Sequence, residues 1–317
     1  PEGERAQAYQ RAYHLFEANE RMQNSFAGEA ALQLAKDALQ AGQPALAVQI
    51  AERTIRNPGA QSSAFPLLAK SHLLLGQLEP ALQHFRQWIN TAPDALQPVD
   101  WANAAELALL SGARAEALRW SKLFAERSEG LLPRYFVARA YAASGNETRA
   151  RQILNHIARS TEPAVLKALA EQTLGEMELL SGNTEQAMVH FKSALRQADH
   201  YEFVQIRLLY ALGQAHTLLA GQDRHTIDNI KAGTDYYAEL QDRLKLLLSK
   251  PLTPFEAYWL KHHLEGIVSS GMRHLYLQQQ YVRDGFSVAD AYNWVEFGKV
   301  ALFNFHDVEA CTAPAFW

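Results

Sequence analysis

The chain is 317 residues long, 48% hydrophobic and 20% charged, the balance of an ordinary folded protein. Lys and Arg total 30 against 34 Asp and Glu, a net charge of −4 with no basic stripe, which argues against a nucleic-acid partner. A single cysteine, Cys311, excludes an intrachain disulfide framework, and no segment reaches the roughly 18 to 20 apolar residues that cross a bilayer.

The first element in chain order is an amphipathic helix over residues 4–24, in which Ala6, Tyr9, Tyr13 and Phe16 recur every three to four positions. It reads as an N-terminal capping helix, residues 1–27.

A repeat begins after it. Gly42, Gly76, Gly112, Gly145 and Gly182 each close an apolar helical run, at separations of 34, 36, 33 and 37 residues. Five positions after each glycine stands an alanine: Ala47, Ala81, Ala117, Ala150 and Ala187. Glycine supplies a left-handed helix cap, and alanine lets a second helix lie close against the first. One turn further on are Ala51, Phe85, Ser121, Leu154 and Phe191, on the same inner side. Pro58, Pro93 and Pro163 mark the ends of second helices. The spacing predicts hairpins at 28–58, 62–93, 98–129, 131–160 and 165–198. A sixth, degenerate repeat starts at 203–221, where Leu212-Gly213 and Gly221 repeat the first-helix pattern, but 222–233 lacks the alanine.

These residues resemble the tetratricopeptide repeat (TPR) family, whose unit is an antiparallel helix pair of about 34 residues. Repeat two carries Phe65, Leu68, Ala69, Gly76, Ala81, Phe85 and Pro93 at the positions of the family pattern. Trp101 stands at the usual Trp of repeat three, and Leu174-Gly175 at the Leu-Gly pair of repeat five. Trp88, Phe124 and Ile157 replace the usual second small residue, a departure that points to wider local packing. The resemblance implies an all-α, right-handed superhelical solenoid of antiparallel helix hairpins, with the array at 28–233.

Residues 234–317 leave the repeat. They read as helices at 234–249, 254–283 and 287–304, rich in aromatic residues, and as an atypical C-terminal cap packed on the array. Trp259, Tyr276, Tyr292 and Trp294 are the candidates to line a pocket there, although rings in a cap ordinarily form its core.

No catalytic constellation stands out. His262-His263 with Glu256 and Glu265 matches no zinc spacing. Cys311 and His306 lie in a Pro-containing tail that offers no held base or oxyanion site. Phosphate-loop and nucleophile-elbow motifs are missing. The reading is therefore no enzyme, no cofactor and no metal.

The TPR resemblance implies instead that first helices line a binding groove. Its usual positions fall on Leu32, Lys36 and Leu39; Ser63, Lys70 and Leu73; Ala102, Glu106 and Leu109; Tyr135, Arg139 and Ala142; and Gln172, Glu176 and Leu179. Lys36, Lys70, Glu106, Arg139 and Glu176 form a polar ladder of mixed sign among apolar neighbours. The expected function is a scaffold that binds another protein or peptide in this groove. The alternative is a peptide or small-ligand sensor with a pocket between array and cap. A homo-oligomer stays open. The compartment is left open, the cytoplasm favoured over the periplasm, which stays open should a signal have been removed ahead of Pro1.

Overall fold

The computed structural model describes residues 11, 25–55, 61–161, 163–222, 225–282 and 294–295. The expectations for residues 4–24 apart from Arg11, for Pro58, Tyr292, His306 and Cys311, and for a helix at 287–304 apart from residues 294–295 lie outside the described residues.

Thirteen helices are described: α1 (Ser25–Gln40), α2 (Pro44–Thr54), α3 (Gln61–Leu74), α4 (Leu78–Thr91), α5 (Pro98–Leu110), α6 (Arg114–Arg127), α7 (Leu131–Ala143), α8 (Glu147–Ala158), α9 (Ala164–Leu180), α10 (Thr184–Gln197), α11 (Glu202–Ala220), α12 (Thr226–Leu248) and α13 (Pro254–Tyr281). A short 3-10 turn, Pro93–Ala95, follows α4, and no strand occurs among the described residues. The fold is all-α. It forms two compact units. Unit one holds α1–α5, and unit two holds α6–α12 and α13 from Glu256 onward.

The turns explain the repeat. All five repeat glycines have φ between +68° and +80°. At Gly145 the Asn146 amide bonds back to the Tyr141 carbonyl at 2.9 Å, and the Gly145 amide to Ala142 at 3.0 Å, a Schellman closure. No atom lies within 4 Å of where a Gly145 Cβ would stand, so the demand for glycine is purely conformational.

The packing follows from the same spacing. Ala47, Ala81, Ala117, Ala150 and Ala187 are fully buried, and so are Ala51, Phe85, Ser121, Leu154 and Phe191 one turn later. Burying a ring such as Phe85 or Phe191 contributes about 1.5–3 kcal/mol. Trp88, Phe124 and Ile157 are buried too, so the departures from the family pattern are core residues.

The sixth hairpin differs from expectation. Helix α12 runs on past Gly233 to Leu248, across the 233/234 boundary read from sequence. The turn before it is longer, and it is closed by His225 in a left-handed conformation (φ 46°) instead of by glycine. Gly213 lies in the first helix of this hairpin, as its Leu-Gly pattern implies, and Gly233 lies inside α12. Each sits under a ring, Gly213 beneath Tyr237 and Gly233 beneath His274. Helix α13 completes this core. Trp259 meets Phe203 and Tyr210 of α11 edge-on, with centroids 5.5 and 6.2 Å apart. Leu209, Leu240, Leu244, Leu260 and Ile267 fill the space between the three helices.

Candidate functional site

Unit one contains an open groove of about 510 Å³. Its walls are Lys36, Leu39 and Gln40 of α1; Ser63, Pro66, Leu67 and Lys70 of α3; Trp88 of α4; and Ala92 and Ala95 just beyond it. The first helices of two successive hairpins thus supply most of the surface, and the second helix of the later hairpin supplies the floor. Four residues named from the groove positions, Lys36, Leu39, Ser63 and Lys70, come together here.

Its two lysines are not equivalent. Lys70 Nζ lies 2.9 Å from Asp100 Oδ1 and 5.3 Å from the centre of the Trp88 ring. Asp100 is only 2% exposed, and its other oxygen accepts the Gln97 amide at 3.1 Å in the first turn of α5. Lys70 is therefore neutralised and held in place. Lys36 is exposed and has no carboxylate partner among the described residues. The groove consequently presents a lysine with no carboxylate partner among the described residues beside the half-buried Leu39 and Pro66, with the buried Leu67 and Trp88 behind them. Pro66, inside α3, cannot donate to the carbonyl of residue 62, four positions back. Asp100 was not legible as a groove residue. Its signal, an acidic side chain at the third position of a helix opening with Pro98, reads first as a helix-start device.

Several expected groove residues are inaccessible. Leu73 is 2% exposed, and Glu106 is buried in α5, whereas Leu109 is half-buried. In unit two, Tyr135 is buried with its hydroxyl 3.5 Å from Thr173 Oγ1, and Gln172 is buried and donates to Glu176 at 2.7 Å. A partner cannot reach Leu73, Tyr135 or Gln172 without displacing core, because each points inward against its own or the neighbouring hairpin. Arg139 is half-exposed over the rings of Tyr135 and Phe136, at 5.7 and 6.0 Å. Glu176 faces Arg207 of α11 at 3.6 Å, a partner that the groove positions did not include.

The aromatic candidates of the C-terminal block divide. Trp259 and Trp294 are core residues. Trp294 meets Tyr237 edge-on at 5.7 Å and covers Gly271. Tyr276 is 57% exposed and takes a hydrogen bond from Gln280 at 2.6 Å. Of the described rings, Trp259 and Trp294 are therefore core and Tyr276 faces solvent. His262 and His263 each turn Nδ1 to a carbonyl of their own helix, at Tyr258 and Trp259, 2.8 Å in both cases. His263 also stacks on Trp259 with centroids 4.5 Å apart. Among the described residues no group of three metal-ligating side chains converges, and no helix is long and apolar enough to cross a membrane.

No family model matches the chain, and no curated protein matches it. Among solved structures it is similar to PilW, a type IV pilus biogenesis factor, at 18% identity over 70% of this chain and 95% of that one, with a TM-score of 0.49. It is also similar to a tetratricopeptide repeat protein from Parabacteroides merdae, at 14% identity over 86% and 98% of the two chains, with a TM-score of 0.49. NprR, solved with its cognate peptide NprX, gives 14% identity over 95% of each chain and a TM-score of 0.48. By its own hairpins, turn glycines and buried alanines, the fold is a TPR-like helical repeat. The TPR-like groove of unit one is the site on which its described geometry converges.

Proposed function

We propose that this TPR-like chain is a non-catalytic interaction scaffold that holds a segment of a partner polypeptide in the groove of unit one. The observation that carries this reading is the juxtaposition of Lys36, exposed and without a carboxylate partner among the described residues, with the half-buried Leu39 and Pro66 over the buried Leu67 and Trp88 in one 510 Å³ groove. Such a surface suits an extended or helical segment with an apolar anchor and an acidic residue near it. Lys70, already held by Asp100, shapes the groove and stacks on its floor. In this reading Glu106, Arg139, Gln172 and Glu176 are structural polar residues, and α13 with Trp259 and Trp294 closes the apolar face of unit two as a cap.

The test is site-directed photo-crosslinking in the native host, with a benzophenone amino acid at exposed Ser63. A discrete covalent adduct to a polypeptide, lost in Lys36→Glu, supports the reading. An adduct pattern no different from that of a crosslinker at exposed Lys192 of α10 removes it.

A further inference from the structure

A surface cluster of unit two takes no part in the groove. Tyr141, near the end of α7, stands between Lys122 of α6 and Arg149 of α8. Lys122 Nζ is 5.5 Å and the Arg149 guanidinium 5.6 Å from the centre of its ring. Arg149 Nη1 also donates to the phenol oxygen at 3.4 Å. Both cations are exposed, and neither has a carboxylate partner among the described residues. Several other cations of this unit have carboxylate partners: Arg151 has Glu147 and Glu178, Arg207 has Glu176, Arg243 has Glu239 and Lys250 has Glu202. Three helices thus bring two uncompensated positive charges to one phenol. The hydrogen bond from Arg149, aided by the nearby charge of Lys122, holds that phenol below its ordinary pKa, which makes its O–H a better donor. The phenol oxygen accepts from Arg149, which leaves its own O–H available to a ligand.

We propose that Lys122, Tyr141 and Arg149 form a binding site for one oxyanion, a carboxylate or phosphate group borne by a partner polypeptide. The oxyanion accepts the Tyr141 hydroxyl proton in a hydrogen bond while the two cations balance its charge. Charge-assisted bonds of this kind are the strong ones, and the Arg149 fork can turn two N–H groups to the same oxyanion. An exposed ion pair alone contributes little. The convergence of three donors is what distinguishes this place from an ordinary charged surface.

The experiment uses the full chain and three fluorescein-labelled synthetic peptides that differ at one central residue: serine, glutamate or phosphoserine. Fluorescence anisotropy is read at low salt, where screening is weak. The expected result is saturable binding of at least one acidic peptide and none of the serine peptide. Affinity should fall about ten-fold in Lys122→Gln/Arg149→Gln and a few-fold in Tyr141→Phe, which keeps both cations. Lys36→Glu should bind as the parent does, which separates this site from the groove. Tighter binding of phosphoserine than of glutamate would identify a phosphate group, and equal binding a carboxylate. All three residues are at least partly exposed, and circular dichroism checks that the variants fold. The proposal is overturned if neither acidic peptide saturates, if the serine peptide binds equally, or if the double variant binds as the parent does.

Discussion

Gly175 lies directly beneath the ring of Phe191: a Cβ built on it would stand 2.5 Å from Phe191 Cε1 and 2.6 Å from Cδ1. Phe191 is fully buried, so its ring cannot swing away. Gly175→Ala should therefore destabilise unit two by about 1–3 kcal/mol, despite the better helix propensity of alanine. Phe191→Leu in the same chain should recover part of that loss. Gly145→Ala is the contrasting case. No atom is near its Cβ, and the cost is the left-handed conformation alone, roughly 1–2 kcal/mol. Urea denaturation of the three variants checks both claims. A Gly175→Ala protein as stable as the parent would show that helix α10 can move off α9.

The ion pair of Lys70 with Asp100 predicts a difference between two groove variants. Lys36→Glu changes an exposed side chain with no carboxylate partner among the described residues and should leave stability within about 0.5 kcal/mol of the parent. Lys70→Glu places a like charge against a carboxylate that is 2% exposed. It should destabilise unit one by at least about 1–2 kcal/mol, a figure discounted because Lys70 itself is 41% exposed. Thermal melts of both variants distinguish them. Equal melting temperatures would mean that Asp100 relaxes to solvent. Lys36→Glu is therefore the cleaner probe of the groove.

Acid should weaken unit two through His274. Burial pulls its pKa from 6.5 down to about 4, only partly offset by the hydrogen bond to the Ile230 carbonyl at 2.9 Å. Thr217 and Thr234 hold the ring at 3.0 and 3.1 Å. The unfolded chain binds this proton more readily than the folded one. Stability is thus full above about pH 6.5 and is lost as pH falls towards 4, by up to roughly 3 kcal/mol. Burial lowers the pKa of His84, His216 and His263 in the same direction. Urea midpoints between pH 7 and 4.5 should show the decline, and His274→Gln should flatten it. An unchanged slope in that variant would assign the effect to the other histidines.

Trp294 should matter for stability well beyond its place in the chain. It is 4% exposed, faces Tyr237 and covers Gly271. Trp294→Ala leaves a ring-sized void and should cost about 3–5 kcal/mol. Tyr276→Ala, at an exposed ring of the same block, should cost under about 1 kcal/mol. Comparable losses in both would mean that the exposed ring packs against something in solution.

Much of this molecule was legible along the chain, for a physical reason. A helical hairpin is a local object, and its demands fall at fixed offsets from its turn. A left-handed cap needs glycine, as at Gly145, and a close helix approach needs a small residue, as at Ala150, five positions on. Composition and periodicity therefore determined the helix class, the turn glycines and the buried alanines. What the tertiary structure decided is what depends on distant partners. That Gly213 and Gly233 are small is plain in the sequence, but that they make room for the rings of Tyr237 and His274 is decided across helices. Lys36 and Lys70 occupy the same repeat position, yet among the described residues only Lys70 meets a buried carboxylate, supplied by a helix thirty positions later. Trp259 and Trp294 fill a core and Tyr276 faces solvent, although all three are aromatic residues of one block. The repeat is set by the offsets within a hairpin. Which of its side chains remain free to bind is set by the neighbours that packing brings to them.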